Sequence, residues 1–191
     1  EYNDVQQKII EAAIKYDVKL LAYVVLHDIA NNADLARRNG INTICYHFDC
    51  VLTSLKDRGL VLVDRFTDAN NEINAHLTRK FAIGLENMPY SKEMRLGNIV
   101  GFHYSAIGQS HFPSLTDIVI GSLRFAINAQ TRNEEKLIPS AKLLLGLIAP
   151  LFPRDHNGAV PETGFLFSPK VIFVDRFREK YVGLKNFFAD N

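Results

Sequence analysis

The sequence predicts an α/β fold, a mostly parallel sheet flanked by helices, and three observations lead there. Apolar runs rich in strand formers occur at residues 19–26, 60–63 and 98–105. Stretches between and after them place apolar residues at helical spacing, and Gly, Pro and Asn clusters punctuate the two. With 191 residues, 47% of them hydrophobic and 23% charged, the chain can bury one substantial core, so residues 1–191 read as a single domain.

Val5, Ile9, Ile10, Ala13 and Ile14 form the apolar stripe of a first helix. Glu1 opens directly in this pattern rather than at a methionine, so the chain reads as a piece of a longer protein. Residues 19–26 then form a near-continuous apolar strand ending at His27 and Asp28. Residues 34–38 predict a short helical turn closed by Asn39-Gly40. A helix over 43–58 follows, with Ile44, Cys45, Phe48, Val51, Leu52 and Leu55 on one stripe and Gly59 as its left-handed cap. Residues 60–63 make the second strand and deliver Asp64 to its carboxyl end. Thr67 or Asp68 would cap a helix carrying Ile73, Leu77 and Phe81. Residues 98–105 predict a third strand, and helices are expected at about 115–130 and 139–148. The Gly- and Pro-rich stretch 155–169 reads as a loop or extended excursion, 171–174 as a short strand, and Phe177, Tyr181, Leu184 and Phe188 as one face of a closing helix.

Composition narrows the function. Lys and Arg total 22 against 21 acidic residues, so a net charge of +1 gives no global attraction to nucleic acid or an anionic membrane. No apolar stretch approaches the roughly 20 residues that span a bilayer, because residues 143–152 are interrupted by Gly146 and Pro150. With no signal peptide in view, a cytoplasmic location is expected. Cys45 and Cys50, five positions apart on a helix, are not expected to form a disulfide. No Gly-rich phosphate loop, nucleophile elbow or kinase signature is present.

Two acidic residues stand out against apolar surroundings. Asp64 follows a buried strand, and Asp117 opens the run Ile118-Val119-Ile120-Gly121. Carboxylates so placed hold divalent cations in many phosphoryl-transfer sites, so both are candidate catalytic and metal-binding residues for Mg2+ or Mn2+. Asp28, after the first strand, is a third candidate ligand, while Arg65 and Arg124 are candidate contacts for a substrate phosphate. Each has a plainer explanation. Ser114-Leu115-Thr116-Asp117 fits a capping box, Asp28 precedes the turn residues Asn31-Asn32, and Asp64 marks where a strand leaves the core. His103 and His111 flank the loop before Asp117, and Cys45, His47 and Cys50 make a poor zinc set because one helix cannot aim all three at one ion. Val63-Asp64-Arg65-Phe66 recurs as Val174-Asp175-Arg176-Phe177 without matching flanks and reads as coincidence, with Asp175 in reserve.

The order of motifs resembles a known family. A strand over 21–26, a helix with Tyr46 near its start, Val63-Asp64-Arg65 and then Leu115-Thr116-Asp117-Ile118-Val119-Ile120-Gly121 look like the domain of unknown function 3800 family. That resemblance implies a ribonuclease H-like fold and a metal-dependent nuclease or related phosphodiester-cleaving enzyme acting on nucleic acid. Two departures matter: Ser114 stands where that family has glutamine, and its early Asp-Glu-Ser-Gly strand is absent. The N-terminal strands that would supply a first aspartate are therefore expected to be missing. The departure favours an alternative, a non-catalytic member of the fold that binds a protein or nucleic acid.

Overall fold

Two parallel strand pairs, each braced by helices, organise the computed structural model, which describes residues 2–30, 32–64, 75, 96–105 and 111–189. Helix α1 (Tyr2–Lys15) buries Ile10 and Ala13 of the expected stripe, whereas Val5 and Ile14 are exposed. Strand β1 (Ala22–Val25) is shorter than the apolar run that announced it, because His27–Ile29 closes into a 3-10 turn.

Helix α2 (Ala33–Leu55) begins ten residues before the expected helix. The Asn32 side chain accepts from the Leu35 amide at 2.9 Å and starts it, so residues 34–38 are its first turns rather than a separate one. Gly40 does not break the helix. A Cβ there would stand 3.2 Å from Tyr23 Cδ1, so glycine lets α2 close on β1. The cap is also not Gly59: Lys56 takes the left-handed conformation at φ 54°, its amide bonding the Leu52 and Thr53 carbonyls. Gly59 instead opens β2 (Gly59–Asp64), where a Cβ would fall 2.5 Å from Phe48 Cζ.

Strand β3 (Ile99–Ser105) runs parallel to β2, from Gly59 opposite Ile99 to Asp64 opposite Ser105. Asn98 fastens the pair to α2, its amide bonding Asp49 Oδ1 at 2.9 Å and its side chain Thr53 Oγ1 at 2.8 Å. The helix expected around Ile73, Leu77 and Phe81 lies outside the described residues.

Helix α3 (His111–Thr131) and helix α4 (Ile138–Ile148) meet through Ala126, Ala129 and Ala141, whose small side chains allow close approach. With Ile10, Ala22, Leu123, Leu145 and Ile148 they form the main core.

The fourth strand is not at 171–174, where Val171, Phe173 and Val174 are exposed. It is β4 (Phe165–Ser168), inside the stretch read as a loop or extended excursion, and it pairs parallel with β1 from Ala22 opposite Phe165 to Val25 opposite Ser168. Gly164 and Pro169 punctuate both ends and disguise it. Phe165 and Phe167 join it to the core against Phe152, Phe188 and Tyr181. Helix α5 (Asp175–Ala189) closes the chain with Tyr181, Leu184 and Phe187 buried. The α/β class and parallel pairing follow the sequence expectation. Among the described residues, no helix is long and apolar enough to cross a membrane.

Candidate functional site

A cleft of about 1030 Å³ opens between the two strand pairs. Its floor is apolar, from Ala22, Val24, Ile41, Ile44, Val61 and Ile127. Among the described residues its cations are Arg37 of α2, Arg124 and Arg132 on and just after α3, and Lys180 of α5, with Asp28 the acidic residue among them.

Those cations are not equally available. Arg37 lies 3.5 Å from Asp34, and Lys180 Nζ donates to Asp28 Oδ2 at 2.6 Å. Among the described residues Arg124 and Arg132 have no carboxylate partner. Eight positions apart, they lie on one side of α3 about 12 Å apart along its axis. An apolar floor beside guanidinium groups that have no carboxylate partner among the described residues suits a ligand that combines anionic groups with a less polar body.

Asp117 is exposed on the same stripe of α3, one turn before Ile120 and two before Arg124. The helix begins at least six residues earlier, so Asp117 is not at the third helical position and the Ser114 capping box does not form. Asp64 ends β2 directly after Val63, which lines the cleft. Its side chain and Arg65 lie outside the described residues. Asp28 is held by Lys180: the hydrogen bond and the ammonium charge keep its carboxyl below the ordinary value of 3.8. A cation seeking that oxygen must compete with Lys180, whereas Asp117 is exposed. Among the described residues, no group of three or more His, Cys, Asp or Glu gathers as a metal set.

The other candidates disperse. His103 and His111 are exposed, and Asp175 pairs with Arg178 at the start of α5, unlike Asp64 at a strand end. Val63-Asp64 and Val174-Asp175, the described start of the echo, therefore share no common structure. Neither Cys45 nor Cys50 is in a disulfide, and the Cys50 side chain hydrogen-bonds Tyr46, raising that phenol's pKa.

His47 is 7% exposed, and its Nδ1 has no hydrogen-bond partner among the described residues. Burial lowers its pKa from 6.5, opposed by the Glu162 charge and a backbone hydrogen bond to Thr163, while Lys170 adds to the lowering. The unfolded ring therefore takes up a proton at a higher pH than the folded one. Its contribution to stability is complete above 6.5 and declines as pH falls below that value. Thermal unfolding should shift to lower temperature between pH 7 and pH 5, and His47→Leu should flatten this dependence. An unchanged slope in the variant would assign it to other groups.

The cationic rim was partly legible, since Arg124 was a sequence candidate. Arg132 was not, because only packing brings it to the cleft. Fold and cleft together define the class: an α/β domain with a cation-rimmed cleft between parallel strand pairs. No family model matches the chain, and no curated protein or solved structure matches it.

Proposed function

We propose that this chain is a divalent-metal-dependent nuclease or related phosphodiester-cleaving enzyme of ribonuclease H-like type, cytoplasmic, that grips nucleic-acid phosphates at the cleft rim. The observation that carries the reading is the α3 stripe, which sets the exposed Asp117 two turns from Arg124, a guanidinium with no carboxylate partner among the described residues, beside an apolar cleft. Arg124 and Arg132 hold phosphates by charge-assisted hydrogen bonds. Asp117, with Asp64 from the end of β2, would hold Mg2+ or Mn2+. Such an ion supplies Lewis-acid activation of water and neutralises charge building on the phosphate.

The pairing of Asp28 with Lys180 favours a second reading, a non-catalytic nucleic-acid binder, because a candidate ligand is already engaged.

Single- and double-stranded DNA and RNA, each assayed with Mg2+ and with Mn2+, separate the two. Asp64→Asn and Asp117→Asn should each abolish cleavage while leaving circular dichroism and oligonucleotide binding in place. Full activity in both variants would remove them from the chemistry. Asp28→Asn should tighten oligonucleotide binding, because Lys180 is released to the ligand. Weaker metal-dependent binding in that variant would instead make Asp28 a ligand.

A further inference from the structure

The floor of the cleft has a property that phosphate binding does not use. Residues Leu21, Ala22, Tyr23, Val24, Val25 and Leu26 all line it consecutively, as do Val61, Leu62 and Val63. Successive side chains of a strand point to opposite faces, so an unbroken run along a cavity means that the strand presents its edge. Among the described residues β1 hydrogen-bonds only to β4 and β2 only to β3. The Ala22 amide bonds the Gly164 carbonyl at 2.8 Å, so the peptide groups of Ala22 and Val24 face β4 and those of Tyr23 and Val25 face the cleft.

We propose that these two edges, unpaired on the cleft side among the described residues, accept one extended apolar segment of a partner polypeptide, which adds a strand between β1 and β2. Such addition satisfies peptide groups on both sides of the incoming chain. The volume agrees. Six residues at about 3.3 Å each, with strands about 4.8 Å apart and layers about 10 Å apart, fill roughly 950 Å³, against about 1030 Å³ for the cleft. The side-chain chemistry follows from what covers each face. On one side α2 closes on Tyr23 through Gly40, with Ile41 and Ile44 in the lining; on the other, α3 supplies Leu123 and Ile127. A strand covered on both faces reads as a continuous aliphatic run, so the segment is about six β-branched or aliphatic residues without proline. The inference goes beyond the catalytic reading and does not depend on it.

The test uses a fluorescein-labelled peptide of six valine and isoleucine residues flanked by aspartates, and two copies N-methylated at alternate amides in either register. Anisotropy should show saturable binding of the unmethylated peptide. Hydrogen exchange should slow at the Tyr23 and Val25 amides and along residues 61–63. Each N-methylated peptide should bind at least about tenfold more weakly, because methylation removes edge hydrogen bonds without reducing apolarity. Val25→Pro, which deletes one donor facing the cleft, should weaken binding while the β4 side stays protected. Equal affinity of all three peptides, protection elsewhere, or no saturable binding would overturn the proposal. Cleavage or oligonucleotide binding without peptide binding would do so while leaving the function above standing.

Discussion

Replacing Arg124 and Arg132 together by glutamine should weaken single-stranded oligonucleotide binding by about thirtyfold near 0.1 M salt, each exposed phosphate contact contributing about 1 kcal/mol. The slope of log affinity against log salt should fall in magnitude by about 1.4, since each phosphate neutralised on a single strand contributes about 0.7. Both changes follow from two guanidinium groups beside the cleft with no carboxylate partner among the described residues. Lys136→Gln with Lys142→Gln removes the same charge from exposed positions outside the cleft lining and should leave binding nearly unchanged. Equal losses in the two double variants would mean that only net charge matters, and the cleft would lose its assignment as the phosphate site.

Tyr181→Phe should lower folding stability by about 2–4 kcal/mol, because two polar backbone groups lose their partner and each buried unsatisfied group costs about 1–3 kcal/mol. Tyr181 is 3% exposed, and its hydroxyl accepts from the Leu26 amide at 3.0 Å and donates to the Ser168 carbonyl. One hydroxyl thus ties α5 to the ends of β1 and β4. Burial raises the phenol pKa above 10.0, outweighing the Leu26 hydrogen bond, so the group remains a donor throughout the neutral range. For a chain of this length, Tm should fall by roughly 5–12 °C. Leu184→Ala, at a fully buried position nearby, should cost a comparable 2–5 kcal/mol or so by cavity formation alone. Hydrogen exchange separates the mechanisms: Tyr181→Phe should specifically accelerate the Leu26 amide. Continued protection there, with a stability change below about 0.5 kcal/mol, would show that the hydroxyl does not hold the strand ends.

Local patterning read best where one element controls it. The stripes of α1 and α5 and the apolar runs of β1, β2 and β3 were visible because burial of one face imposes a period on the sequence. It read worst where glycine and proline serve packing rather than chain reversal. Asn39-Gly40 looked like a stop, yet Gly40 is a point of close approach inside α2; Gly59 looked like a cap, yet makes room for Phe48. Gly164 and Pro169 likewise hid β4. The candidate site divides in the same way. Asp117 and Arg124 were found because two helical turns relate them, whereas the ion pair between Asp28 and Lys180 joins residues 152 positions apart.

From its own order of residues, this chain determined an α/β class, parallel strands and a helix carrying Asp117 and Arg124 on one stripe, because short-range periodicity encodes which side of an element is buried. Only the tertiary structure decided that β1 pairs with β4, that Lys180 engages Asp28, and that two strand edges face one cleft. Those outcomes depend on contacts between segments distant in sequence, whose hydrogen-bonding and packing partners no local pattern specifies.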